Sequence, residues 1–499
     1  MKEEKSREQD FMRVCVTGLM AVSSFFLFAE QNLLSPSLSS VAEEFGFNNH
    51  ERDFKIGGQI SVGFFLVGGV CGLFFGSLAD DSTLTMARTR LFAIVICIGE
   101  IGCVGTYFCS TFTELFVFRV ITGIAIGGSS PVIYKVLGEL WPPSQRVRVS
   151  TLMGLSASAG GAVGQITAGY IGPAYGWRAP FLVVAIPALM CALVLYFVPE
   201  IREQDTITYV EVGQQEPEEE EVVVGGSSPV KGRAIGSSNG FNSKKEVAPK
   251  PPLKATGSGL TPWQQLLLLP SIDLNEVKTK LKEVLETRTA LLVFLQGMFG
   301  CIPWSILSVF MTDYLSTDLR MNVHRSSLVM LLFGLGAVVG QIAGGFTGQV
   351  LFNKDPVYQV MMISITSILG SIPLLSIVNY EPRETHDLPF YAFFFFGGIL
   401  AAVAGPNVRS ILQNVTKPEN RGLAFAVYTL ADDVGRGGGP FLVSQLIVFF
   451  DSRRAAFNLG MLAWVVGGCL CAVMSYTYKA DLQATAKYDV GAKGNKSDV

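Results

Sequence analysis

Runs of about twenty apolar residues recur along this chain, and their length limits what it can fold into. They fall at positions 14–37, 56–79, 91–109, 114–138, 150–171 and 179–199, and resume at 289–312, 326–350, 357–379, 389–412, 423–450 and 457–478. Each is long enough for a helix to cross a bilayer core. Backbone groups in lipid must be bonded within the segment, so runs of this length are read as helices. The period-2 alternation of a membrane barrel is absent. Charged residues make up only 16% of the chain, against about 25% for a soluble globular protein. The start, MKEEKSREQD, is mixed in charge and leads into an apolar segment too long for a signal peptide, so it is read as a retained first span. The expectation is an all-α, multi-pass membrane protein of twelve spans.

Other classes are disfavoured. A net charge of −3 offers no basic field for nucleic acid. The nine cysteines lie in apolar runs without a CxxC pair, so neither a disulfide framework nor a zinc site is expected. The three histidines, His50, His324 and His386, fall in predicted outer loops without metal-ligand spacing. No nucleophile–base constellation or phosphate loop is present, so no enzyme activity, metal or cofactor is expected.

Lys and Arg in the short loops set the orientation. The side that carries both termini holds 15 of them, and the opposite loops hold eight. Both termini are therefore expected in the cytoplasm, and the two N-x-S/T sequons, at Asn414 and Asn495, with them. The chain divides into a six-span bundle (1–199), a linker (200–288), a second bundle (289–478) and a cytoplasmic tail (479–499). The linker contains EPEEEEVVV (216–224) and APKPP (248–252), a composition that cannot bury enough surface to fold alone. Its end, Ile272 to Thr287, has the alternation of an amphipathic helix.

The two six-span blocks superimpose as a repeat. Gly123, Pro131, Pro143, Arg146, Gly160 and Gly164 correspond to Gly398, Pro406, Pro418, Arg421, Gly435 and Gly439, all 275 positions later. Gly68, Gly72 and Gly76 match Gly336, Gly340 and Gly344 at 268. Glycines four apart share one helix face and let a neighbouring helix approach closely. Arg119, Gly123, Gly127 and Pro131 make such a face in span four.

On these residues the chain resembles the major facilitator superfamily, over nearly its whole length. GSLADDSTLTMARTR (76–90) is similar to that family's loop motif, with Gly76 and Asp80 at its start and Arg88 and Arg90 at its basic end. The spacing is longer than usual, and the equivalent loop of the second half, 344–355, is degenerate. The resemblance implies that this loop latches the cytoplasmic gate. AEQNLLSPSLSSVAEEFGF (29–47) and RVITGIAIGGSSPVIYKVLGEL (119–140) look like the spinster-like branch, with Glu30-Gln31 where that branch commonly has an Asp-Arg or similar polar pair. The branch implies export of lysophospholipids or sphingoid lipids, coupled to protons.

Ionisable residues inside spans cost about 2.5–3.5 kcal/mol each at mid-membrane, which makes them functional candidates. Counted from the span ends at ~1.5 Å per residue, Glu30 and Arg119 sit roughly 10 and 8 Å below the outer surface. The resemblance brings helices one and four together around a central cavity, so a Glu30–Arg119 pair is the expected coupling site. The competing reading is a permanent ion pair. Asp432, Asp433 and Arg436 form a second cluster in span eleven: Asp432 and Arg436, four apart, can pair on one helix, which leaves one acid over. A bend is expected at Gly437 to Pro440. Glu100 stands alone in span three and is read as structural, with a partner hidden in packing or as simply protonated. Trp304 is a candidate cavity residue.

The expected function is secondary active transport of a small organic or amphipathic solute between two six-helix halves, by alternating access. The partners are then the bilayer, the solute and protons, and the location is the plasma membrane or an endolysosomal membrane. A facilitator for a polar metabolite such as a sugar or organic acid, and a non-transporting receptor or scaffold of the same fold, stand as alternatives.

Overall fold

The computed structural model describes residues 2–80, 86–141, 143–198, 274–380, 388–417 and 420–497, and every regular element among them is a helix. The expected linker of 200–288 lies outside the described residues up to position 273, as does the loop at 81–85. Twelve membrane-length segments are present. Ten are long and apolar enough to span a bilayer by composition. The other two, Pro143–Tyr175 (span five) and Arg421–Phe450 (span eleven), are rich in small and charged residues. Both pack between other helices: span five between spans one and eight, span eleven between spans seven and two. Lipid therefore does not select their composition.

Several spans are interrupted, each for a visible reason. Span one runs as Lys2–Ala29, then as 3-10 turns at Glu30–Asn32 and Ser35–Ser37, then as Leu38–Glu44. The polar run Glu30-Gln31-Asn32 begins the unwinding, and Pro36, which has no N–H, sits in the second turn. Span two starts at Asn49–Glu51 with a capping box between Asn48 and Glu51. It widens into a π-helix at Arg52–Gln59 and continues as Ile60–Asp80. Span seven, Arg288–Ile306, contains Pro303 and also widens, at Leu307–Met311, before ending at Thr312–Thr317. Span ten breaks between Leu388–Ala402 and Ala404–Val415. Pro406 cannot bond to the Ala402 carbonyl, and its ring crowds that turn. Its counterpart Pro131 is accommodated without a break in span four, Phe112–Leu140. Span eleven is helical straight through Gly437 to Pro440, so the expected bend involves no loss of helix.

The remaining spans are Arg88–Phe108 (three), Ala179–Phe197 (six), Val323–Lys354 (eight), Pro356–Asn379 (nine) and Arg453–Met461 with Ala463–Ser497 (twelve). Span twelve stays helical well past position 478. In that extension the Asp481 carboxylate accepts the Thr289 N–H at 2.9 Å, and Thr485 donates to the Val415 carbonyl. The helix Leu274–Glu286, at the end of the expected linker, docks here too. Val284 is buried with spans seven, ten and eleven, and Glu283 accepts from Lys417 (3.1 Å) and Asn420 (2.9 Å).

Within each half, small residues bring backbones together. A Cβ on Gly68 would strike the Gly123 carbonyl, and one on Gly127 would strike the Gly68 carbonyl; Gly72 faces Gly127, and Gly76 faces Pro131. Spans eight and ten repeat the arrangement, with Gly336 against Phe395, Gly340 against Ile399 and Gly398 against Phe333. Gly160 and Gly164 meet span one at Phe25 and Ala29, while Gly435 meets span seven at Met298.

The halves join through spans two and eleven and through spans five and eight. Phe54 packs on Phe441 at 5.5 Å, and His324 lies over Tyr170 at 4.5 Å. At the end away from the termini, here the distal end, one apolar core runs across both halves, from Leu38 and Ile56 to Phe310, Tyr314 and Phe457. At the opposite end, spans seven, nine, ten, eleven and twelve have a separate core of their own.

Candidate functional site

A small cavity of about 40 Å³ lies where span one unwinds, lined by Gln31, Asn32 and Ser35 of that break. Arg119 of span four and Ser308 of the other half add polar groups, and Leu34, Leu38, Ile56, Ile60, Phe64 and Phe65 supply much of the rest, so the lining is mixed. Irregular backbone inside a membrane is tolerated where it lines such a space.

Arg119 is buried, with its guanidinium between the rings of Phe64 (5.3 Å) and Phe181 (5.2 Å). Its Nη1 donates to the main-chain carbonyl of Glu30 at 3.3 Å, and its Nη2 has no partner. Glu30 and Arg119 thus meet, but not as carboxylate and guanidinium. Span one changes from α-helix to a 3-10 turn at Glu30, and the Glu30 carbonyl there accepts from Arg119. The Glu30 carboxylate points away from the cavity, towards span three. There, one oxygen each of Glu30 and Glu100 and the Cys103 sulfur all lie within 4.8 Å of one another. Both carboxyl groups are fully buried without a hydrogen-bond partner, and Cys103 donates to the Phe181 carbonyl at 3.3 Å. Glu100 thus faces a second acid, Glu30.

Asp432 and Asp433 are both buried and face opposite ways. Asp432 fills the space left by Gly297 in span seven, within its own half; its Oδ1 has no partner, and Arg436 and Arg409 are the nearest positive charges. Asp433 lies against Gly69 of span two, across the boundary between halves. Of the two acids, Asp433 is the one at that boundary. Trp304 does not line the cavity. It packs edge-on to Phe333 (5.2 Å) and Trp464 (6.1 Å) in an aromatic cluster of the second half, where Trp464 donates to the Gly300 carbonyl. In the loop motif, Asp80 is the last residue of its helix. Arg88 donates to the carbonyls of Ala79 (3.1 Å) and Met86 (3.2 Å), a cation at a helix C-terminus. Arg90 lies over Tyr196.

A further charge cluster, which hydropathy and span charges did not single out, joins spans two, seven and twelve at the distal end. Arg453 of span twelve donates to Asp53 of span two (Nε, 2.9 Å) and to Asp313 (2.9 Å) and Asp318 (2.9 Å) of span seven. Arg52 donates to Asp53 at 3.0 Å and to Ser39, whose N–H donates to Asp313. Arg52, Asp53, Asp313 and Arg453 are buried, although Arg52 and Arg453 read as loop charges in the sequence. Gln165 of span five also donates to Thr312 across the boundary.

Among solved structures, a bacterial homologue of the human lysosomal transporter Spinster, in an inward-facing and unoccupied conformation, aligns with a TM-score of 0.66 at 14% identity, covering 95% of this chain and 98% of that one. Among curated sequences, the benzoate transport protein of Acinetobacter baylyi is 22% identical over 62% of this chain and 58% of its own length. The hexuronate transporter of Bacillus subtilis is 22% identical over 78% of this chain and 80% of its own. The citrate exporter of Yarrowia lipolytica is matched over 26% of its length. Residues 20–440 and 293–496 match the Major Facilitator Superfamily profile. With that match over most of its length and the two-half helical fold, the chain is a membrane transporter-fold protein of the Major Facilitator Superfamily.

Proposed function

We propose that the protein is a proton-coupled carrier of a small amphipathic organic solute, a lysophospholipid or sphingoid lipid on the spinster-like resemblance, working by alternating access. One observation carries this reading. Arg119 stands between a cavity of mixed polar and apolar lining at the boundary of the halves and a buried acid, so a change of charge on the acid is felt by a cation in the cavity wall. The two bundles are 1–199 and 289–478, joined by the 200–288 linker. Both termini lie in the cytoplasm of a plasma or endolysosomal membrane, and the charge cluster around Arg453 closes the outer gate. Asp433 faces the other half as a second polar contact for solute, and the 76–90 loop latches the cytoplasmic side.

A second reading, carriage of an organic acid, is favoured by the unpartnered Arg119 Nη2 and by relatives described as benzoate, citrate and cis,cis-muconate transporters. Purified protein in liposomes, given labelled lysophosphatidylcholine, benzoate or glucose with and without an inward proton gradient, separates the two. Gradient-driven lysolipid uptake that is lost in Glu30→Gln is the expected result. Gradient-driven benzoate uptake without lysolipid uptake favours the second reading, and flux indifferent to the gradient overturns coupling.

A further inference from the structure

We infer that Glu100 of span three forms a single proton-binding site with Glu30, the two carboxyl groups holding one proton between them. This deepens the coupling reading above and rests on it for its role in transport, though not for its chemistry. Three observations support it. Both carboxyl groups are fully buried, within 4.8 Å of each other together with Cys103, and none of their four oxygens has a hydrogen-bond partner in the protein. Two ionised carboxylates at this separation repel strongly in an apolar interior. A proton on one turns the repulsion into an O–H···O⁻ hydrogen bond, which satisfies one oxygen on each side.

The surrounding charges agree. The groups facing Glu30 are Glu100 and Cys103 from span three and Arg119 from span four; those facing Glu100 are Glu30, Cys97 of its own helix and Arg119. Span six contributes the ring and carbonyl of Phe181. With thiols neutral, two acids and one guanidinium carry a net −1. One bound proton brings the group to zero, and its release leaves a net negative charge beside Arg119. Uptake and loss therefore alter the field on a cation that lines the cavity without any solute touching the acids. Glu100 acts through Glu30 and Arg119, as a positioning residue for the proton.

The test needs no solute. The full chain in lipid nanodiscs is titrated in D₂O by infrared difference spectroscopy, following the carbonyl stretch of protonated carboxyl groups. Wild type is compared with Glu30→Gln, Glu100→Gln, the double variant and Glu100→Asp, and thermal unfolding confirms that each is folded. A shared proton predicts that replacing either acid displaces the midpoint of the remaining one by about one pH unit or more. It also predicts that Glu100→Asp keeps a two-carboxyl titration. Independent acids, each losing its own band while the other's midpoint stays in place, would overturn the inference. So would a wild-type protein with no carboxyl band titrating at this pair. Because this readout is made without flux, failure of gradient-driven transport and failure of the shared site are separate results. If both hold, Glu100→Gln abolishes the pH dependence of uptake.

Discussion

Arg453 and Asp53, 400 positions apart in the chain, are joined by a two-point guanidinium–carboxylate contact that ties the last span to the second across the boundary between halves. Removing one partner of a buried pair strands the other, at about 3–5 kcal/mol. Arg453→Leu leaves Asp53 with Arg52 alone and Asp313 short of a cation. The expected outcome is a lower unfolding temperature together with faster labelling, by a membrane-impermeant maleimide, of a cysteine introduced by Ser37→Cys. Unchanged labelling would show that the apolar core alone keeps this end shut.

The glycine seams make a second prediction. Gly123→Ala drives a methyl into the Phe64 backbone, which cannot move aside as a side chain can, and is expected to cost about 1–3 kcal/mol. Gly438→Ala meets nothing within 4 Å and should be neutral or slightly stabilising. Thermal unfolding of the two variants in the same detergent checks the contrast.

Asp481 caps span seven from another helix by accepting the Thr289 N–H. Asp481→Ala should cost about 0.5–2 kcal/mol, as loss of a helix cap does. The loss should show as faster amide exchange in the first turn of span seven, with the distal end of that span unaffected.

The docked helix Leu274–Glu286 should respond to acid. Hydrogen bonds from Lys417 and Asn420 hold the Glu283 carboxyl below its ordinary value of 4.5. A carboxyl lowered in the folded state stabilises the docked form above its unfolded value, and that contribution is lost as pH falls through the folded one. Amide protection in 278–286, corrected for the intrinsic pH dependence of exchange, should therefore be steady from neutral pH down to about 5 and weaken below about 4. In Glu283→Gln the protection should be lower at neutral pH and depend less on pH.

Much of the fold is legible because bilayer thickness imposes a length on each apolar run. Hydropathy served least for spans five and eleven, where Gly160, Gly164, Gly435 and Gly439 identify the helices by repeat spacing instead. The site was less legible. Depth counting brought Glu30 and Arg119 together, yet it could not foresee that span one unwinds at Glu30, presenting a carbonyl to Arg119 and turning the carboxyl towards Glu100. Asp53, Asp313 and Arg453 sit at helix ends, where charge is ordinary in any membrane protein; only the tertiary fold turns them inward. An aromatic residue beside a proline, as Trp304 is, looks the same to the sequence in a cavity wall and in a packed cluster.

The unwound turns at Glu30–Asn32 divide span one into a long arm towards the N-terminus and a short stub at the distal end. At 1.5 Å per residue, the arm from position 10 to 29 is about 30 Å long. A tilt of about 10° at the break swings its far end through about 5 Å and leaves Glu30 almost where it was. Glu30 thus sits at a fulcrum, where a small change of angle moves the carboxyl least and the N-terminal end of the arm most.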